Sequence, residues 1–380
     1  MSSSACRGSR IVAIAALALV VACSSSDEST QEGASPTPAA STSPAITTSA
    51  PTTEHASTEP PITPASTAAD SALDPAAAPT SAPSDTVFPI EIEHRFGSTT
   101  LSDEPQRVVT VGLTDHDAVL ALGVVPVGVT QWLAEPIGSW AVDRVGDDPP
   151  AVVGTAAEIN FEAIAATDPD VIFAVHSGLD AEEYELLSAI APTIAQPPGA
   201  IDYGVSWDTQ TEIVGEALGR SEVAAQLVAD LEAQVSSVAD SSPTLDGAVG
   251  VIASPLGQQQ VSIITANDPR GALLARLGID QPPEIVDIAG NDYNAVVSFE
   301  RADLIDGDFV IWLVNSVDTD RALFEASPLY TALDVSAGGH DLYIEGGSDL
   351  GAALSFVSVL SIPVLIDELV PQITAAIAGT

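Results

Sequence analysis

The chain has 380 residues, 46% of them hydrophobic, and its 53 acids against 10 bases give a formal charge of −43. All the bases are arginine, and so large an acid excess excludes nucleic acid and an anionic membrane surface as electrostatic partners. No P-loop, H-E-x-x-H or G-x-S-x-G pattern occurs, and the glycines of 346–351 (GGSDLG) follow no dinucleotide-binding plan, so neither an enzyme nor a cofactor is expected.

The first segment reads as a targeting signal. Arg7 and Arg10 precede an apolar stretch over 11–21, and small residues lead into Cys23 (VVAC). The stretch is about half of the roughly 20 residues a transmembrane helix needs. A bacterial lipoprotein signal over 1–23 is expected, cut before Cys23, whose thiol would carry lipid and tether the protein to the outer face of the cytoplasmic membrane. Residues 24–85 are Ser, Thr, Pro and Ala with scattered acids, and they hold no arginine or aromatic residue. Such a stretch cannot bury enough apolar surface to offset its ordering entropy, so it reads as a disordered linker. Cys6 would leave with the signal, so the body has no disulfide.

From 86 onward, β-rich runs alternate with helical stretches. Continuous apolar runs at 107–112 (RVVTVG), 124–129 (VVPVGV) and 171–175 (VIFAV) predict buried parallel strands. Short helices are expected over 115–122 and 160–166. A second strand set is expected at 248–253, 260–264, 310–314 and 342–344. Between the sets, 207–239 reads as a helical spine, interrupted at Gly219 and restarted with Ser221 as N-cap. Ala224, Leu227, Val228, Leu231, Val235 and Val238 recur at helical spacing and give it one apolar face. A rigid spine predicts little lobe movement on ligand binding.

A short repeat links the two halves. Asn160, Phe161 and Glu162 precede Asp168, Asp170 and VIFAV, and Ser298, Phe299 and Glu300 precede Asp306, Asp308 and VIWLV. Each second position lies 138 residues beyond its counterpart (298 against 160, 308 against 170). The expected fold is therefore α/β with two Rossmann-like parallel-sheet lobes, an N-terminal lobe over 86–205 and a C-terminal lobe over 241–380, joined by a connecting helix over 206–240.

On these residues the body resembles the iron–siderophore substrate-binding lipoproteins of ABC transporters. The segments that carry the resemblance are INFEAIAATDPDVIFAVHSGL, WDTQTEIVGEALGR, the DPR of 268–270, FERADLIDGDFVIWLV and LSFVSVLSIPVLIDELVP. The resemblance implies a monomer of the class III periplasmic binding type that captures a ferric siderophore between its lobes and delivers it to ABC permease subunits. In that family one acid per lobe docks on the permease, and the motif positions match Glu162 and Glu300. An acid in a first helical turn also stabilises the helix dipole by a few tenths to about 1 kcal/mol, and both roles can coexist.

Open α/β sheets bind ligands beyond the carboxyl ends of their strands. There the first half offers Trp132, Trp140, Arg144, His176, Ser177, Tyr203 and Trp207, with Thr114 nearby. The second half offers Arg270, Tyr293, Asn315 and Phe356. Aromatic faces pack flat chelate rings and arginine donates to their oxygens. Any of these could equally be core or rim, and Trp312, inside a strand, is expected to be buried.

The chain departs from the subgroup that binds tri-anionic catecholate complexes, where several basic residues converge. Beyond Cys23 only eight arginines remain, and Arg107 reads as structural at its strand start. A ferric hydroxamate is the expected ligand. Haem, a corrinoid, or a bare metal ion held by His116, His176, His340 and an acid are the alternatives, and a secreted hydrolase is a remote one.

Overall fold

The computed structural model describes residues 87–379 apart from 258. The signal over 1–23, the Cys23 lipidation site and the linker over 24–85 lie outside the described residues.

An antiparallel hairpin, β1 (Ile90–His94) and β2 (Gly97–Leu101), opens the described chain. The first sheet follows: β3 (Val108–Thr110), β4 (Gly128–Gln131), β5 (Ala151–Thr155), β6 (Glu158–Ile159), β7 (Val171–Ala174) and β8 (Thr193–Ala195). Its strand order is β6-β5-β4-β3-β7-β8, parallel throughout except at β6. The chain builds outward from β3 on one side and then crosses to β7 on the other, so the order reverses between β3 and β7. Around the sheet lie α1 (Asp115–Ala121), α2 (Phe161–Ala166) and α3 (Ala181–Ser188). Strand β4 starts later than the apolar run 124–129 suggests. Pro126 has no N–H to give the ladder, and pairing begins when Val127 N donates to Val108 O at 2.8 Å.

The spine is two helices, α4 (Trp207–Ala217) and α5 (Ser221–Ser241). Gly219, at φ +67°, takes the left-handed turn that ends α4, and Arg220 rather than Ser221 sits at the N-cap of α5. The two helices fold against each other: a Cβ on Gly215 would lie 2.3 Å from that of Ala224. The connection is therefore α5 alone, 21 residues and about 31 Å long. Its expected apolar face is the buried one. Ala224 packs with Val119, Val214 and Leu218 in the first core. Val228, Leu231 and Val235 pack with Ile252, Leu273 and Ile311 in the second. Each of those three side chains stabilises the docking by about 1.5–3 kcal/mol.

The second sheet holds β9 (Gly250–Leu256), β10 (Gln260–Ile264), β11 (Asn294–Ser298), β12 (Phe309–Val314) and β13 (Asp341–Glu345), in the order β11-β10-β9-β12-β13. Strands β9, β12 and β13 are parallel, but β10 pairs antiparallel with both β9 and β11, which corrects the all-parallel expectation for this set. Three residues separate β9 from β10, too few for a parallel crossover. Helices α6 (Pro269–Arg276), α7 (Pro283–Ala289), α8 (Val317–Glu325), α9 (Asp334–Ala337) and α10 (Asp349–Phe356) cover the sheet with a helical C-terminal segment.

The repeat is structural as well as sequential. Asp170 accepts from the backbone N–H groups of Gln106 and Arg107, and Asp308 accepts from that of Val249, so each ties down the chain just before the central strand of its sheet. Asn160 and Ser298 cap the helical turns that follow them. The copies differ in detail: 161–166 is α-helical, whereas Phe299–Ile305 is a 3-10 stretch kinked at Arg301.

The halves are also linked through a buried carboxylate. Asp117 of α1, fully buried, accepts from Trp140 Nε1 at 2.9 Å and from the Ser358 hydroxyl just past α10. Neither ring nitrogen of the neighbouring His116 has a hydrogen-bond partner among the described residues, and its ring stands edge-on to Phe356.

Candidate functional site

A cleft lies between the facing ends of the two sheets. From the first half it is lined by Leu113 after β3, Trp132 and Leu133 after β4, His176 after β7, and Tyr203 before α4. Leu113 and His176 thus sit at the point where the strand order reverses, where open α/β sheets form their ligand crevice. The opposite wall comes from Ser254, Ser262, Ile264 and Leu313 on strands, Asp268, Pro269 and Arg270 at the start of α6, Tyr293 and Asn294 at β11, and Ser355 and Phe356 at the end of α10.

A buried polar network shapes the first wall. The Asp115 carboxylate accepts from the backbone N–H groups of Val175 and His176 at 2.9 and 3.0 Å, and from Gln210 Nε2 of α4 at 2.5 Å. This fixes the loop that presents His176. The Tyr203 carbonyl can only accept, so His176 Nε2 carries the proton and donates to it at 2.9 Å. Nδ1 faces the Thr114 hydroxyl at 2.7 Å, which also reaches Gln210 Oε1. Burial lowers the His176 pKa more than the Tyr203 carbonyl, Asp115 and Asp268 raise it, so the ring is neutral at neutral pH.

Tyr203 stands at φ +57° with its ring edge-on to Trp132, centroids 5.8 Å apart. It lies against Gly178, where a Cβ would come within 2.8 Å of the phenol ring. Burial, with Glu183 and Asp202 adding to it, pushes its phenol up to about 12. Burial raises Tyr293 as well, against the pull of Arg270. Trp132, Tyr203, Tyr293 and Phe356 thus stand among aliphatic, serine and other uncharged side chains.

The exception is Arg270. Its Nε and Nη2 donate to Asp268 Oδ1 and Oδ2 at 2.8 and 2.7 Å. Of the sequence-nominated residues, Trp132, His176, Tyr203, Arg270, Tyr293 and Phe356 line the cleft. Thr114 stands behind His176.

Five nominated residues do not line it. Trp140 turns its indole N–H to Asp117 and packs edge-on against Phe356 from behind. Ser177 is buried, its hydroxyl donating to Ala174 O at 2.7 Å. Trp207 is 3% exposed in the core at the start of α4, under the Arg276 guanidinium. Arg144 ends a 3-10 turn away from the cleft wall. Asn315 is exposed, its backbone N–H held by Asp320 at the start of α8. Trp312 is buried, as its place inside a strand implies, and donates to Tyr330.

The bare-metal alternative is not supported: among the described residues no three His, Cys, Asp or Glu side chains gather as a metal site. His340 bonds the Asp308 carbonyl at the amino ends of β12 and β13, whereas His176 follows the carboxyl end of β7.

Sequence reasoning missed Asp268, Ser254, Ser262 and Asn294. The two serines were legible as polar residues interrupting apolar strands, and Asp268 as an N-cap before Pro269. Glu162 and Glu300 are both exposed, each in the first turn of its repeat.

Two α/β lobes on one bridging helix with a cleft between their strand ends define a solute-binding architecture. The sequence profile of the Periplasmic binding protein family matches residues 108–338, and the chain belongs to that family. It is 29% identical over 202 residues to the Probable siderophore-binding lipoprotein YfiY of Bacillus subtilis. That match takes in 52% of this chain and 59% of the relative, so the chain spans less than two thirds of that relative's length. A periplasmic solute binding protein from Mycobacterium smegmatis superposes with a TM-score of 0.67 at 32% identity, over 76% of this chain and 99% of that one. PiaA from Streptococcus pneumoniae in complex with ferrichrome gives a TM-score of 0.67 at 26% identity, over 77% and 99%.

Proposed function

We propose that this protein is an extracytoplasmic solute-binding lipoprotein that captures a ferric siderophore in the cleft and delivers it to an ABC permease, binding without transforming it. The observation that carries this is the cleft itself. It lies at the strand-order reversal, is walled by Trp132, Tyr203, Tyr293 and Phe356, and has Arg270 as the one arginine among its lining residues. Flat aromatic faces and a few fixed donors suit a rigid chelate whose oxygens surround iron. The similarity to YfiY and to PiaA points the same way.

The arginine count favours a hydroxamate over a catecholate. Arg95 pairs with Asp202, and Arg276 with Asp208 and Glu232. Arg107 donates to the Thr167 and Asp168 carbonyls, as its strand-start position suggested, and Arg220 donates to the Leu122 carbonyl. Arg301 pairs with Asp303, and Arg321 lies over the Tyr343 ring. Arg144 has no side-chain partner among the described residues but does not line the cleft, so no cluster of cations is available among them to neutralise a tri-anionic ligand. Lipidation at Cys23 would supply the tether, and Glu162 and Glu300, one per repeat and both exposed, would meet the permease. A monomer suffices for each of these roles.

Calorimetric titration with ferric siderophores tests this reading. A ferric hydroxamate is expected to bind with a Kd of about 1 μM or below, about −8 kcal/mol, and the iron-free ligand more weakly. Failure of every ferric siderophore class, alongside tight binding of bare Zn²⁺ or Mn²⁺, would refute it.

A further inference from the structure

Asp268 is 5% exposed and caps the N-terminus of α6, its Oδ1 accepting from the Arg270 backbone N–H at 2.8 Å. The same carboxylate takes the Arg270 Nε and Nη2 protons at 2.8 and 2.7 Å. One acid therefore fixes the helix start and grips the only arginine on the cleft wall through a two-pronged pair. A guanidinium has five N–H groups, and this grip uses two, so three remain for a ligand. Their donors persist, but the charge behind them is already answered.

The surroundings add no other cation. His176 is neutral, and the next nearest titratable groups on the walls, Tyr203 and Tyr293, are neutral phenols. The formal charge of the cleft lining is zero: Arg270 against Asp268. A polyanionic chelate entering it would displace water without gaining an uncompensated positive charge, and it would approach the Asp268 carboxylate. An uncharged chelate could still take hydrogen bonds from Arg270.

We propose that Asp268 sets the charge selectivity of this cleft, converting Arg270 from a charge-offering group into a hydrogen-bond donor with no net charge, so that uncharged ferric chelates are admitted and polyanionic ones rejected. The inference rests on the ferric-siderophore reading above. Asp268 acts through Arg270 and is a positioning residue with respect to ligand.

The test is Asp268→Asn. Asparagine caps a helix as well as aspartate does, and its one amide oxygen can still accept from the Arg270 backbone N–H and Nε, while its NH2 stands where Oδ2 took the Nη2 bond, so the charge and one arm of the pair are removed and the cap is kept. Calorimetry at fixed ionic strength would compare ferrichrome, an uncharged ferric trihydroxamate, with anionic ferric dicitrate. In the variant, ferric dicitrate affinity should rise by about tenfold or more, equivalent to about 1.4 kcal/mol, with ferrichrome affinity within about threefold of wild type. The double variant Asp268→Asn with Arg270→Gln should lose the gain, because the exposed charge that caused it is gone. A merely structural role for Asp268 would weaken both ligands together. If the asparagine variant does not fold, Asp268→Ser, also a cap without charge, gives the same comparison. Unchanged ferric dicitrate affinity, a gain that persists in the double variant, or a wild type that prefers ferric dicitrate would each overturn the proposal while leaving siderophore capture standing. A wild type that binds neither chelate overturns the siderophore reading and this inference with it.

Discussion

Replacing Asp117 with alanine tests how firmly the halves are held together. The carboxylate is fully buried and accepts from Trp140 Nε1 and from the Ser358 hydroxyl, which lies 241 positions along the chain. Alanine leaves two buried donors unsatisfied, at about 1–3 kcal/mol each. Against this, the variant no longer buries a charge whose Oδ1 has only His116, 3.5 Å away, for company. The balance should be a loss of about 3 kcal/mol, or about 6–12 °C in Tm for a body of this size. Ser358→Ala removes one donor and leaves the Trp140 bond in place, so it should cost about 1–2 kcal/mol. In a double-mutant cycle the two changes should couple by about 1 kcal/mol or more, since they share a bond. Denaturant unfolding of the four proteins measures all three quantities. A loss below about 1 kcal/mol for Asp117→Ala, or additive effects within about 0.3 kcal/mol, would show that the carboxylate does not link the halves.

Ligand binding should quench tryptophan emission chiefly through Trp132, the one tryptophan lining the cleft; Trp132→Phe should abolish most of the quench and weaken binding by about 1 kcal/mol. Replacing Glu162 and Glu300 together with arginine should leave chelate affinity unchanged but abolish siderophore-dependent growth, and normal uptake would leave them as helix-capping acids. Acid should destabilise the protein through His176: its folded pKa lies below the unfolded value of about 6.5, so the unfolded chain binds the extra proton first, and the contribution present above pH 6.5 is lost as pH falls toward the folded pKa. His94 shifts the same way, so the difference in Tm between wild type and His176→Gln, compared at pH 8 and pH 5, isolates the effect; an identical difference at both values would exclude it. With the apolar face of α5 packed into both cores and Asp117 bridging the halves, X-ray scattering should find little change in radius of gyration on loading, and a large compaction would contradict a rigid connection.

Local pattern was enough for much of this architecture. Continuous apolar runs marked β3, β7 and β12 because buried parallel strands need apolar residues on both faces. The 3.6-residue spacing marked the face of α5, and the repeat at 160–170 and 298–308 marked two similar halves, since each Asp before a strand ties down its own sheet. Trp132, His176, Tyr203 and Arg270 were legible as cleft residues because each follows or flanks a predicted element end. Tertiary packing decided the rest. Trp140, Trp207 and Ser177 carry the same chemistry in similar positions, yet each found a buried partner or a core and turned from the cleft. The antiparallel course of β10 followed from a short connection, and the turn at Gly219 folded α4 back on α5 instead of extending it. The pairing of Asp268 with Arg270 was contained in three adjacent letters, DPR. Those letters specify a helix cap, but only the arrangement of the two sheets makes that cap a wall of the cleft, because charge neutralisation there depends on what else the fold brings near it.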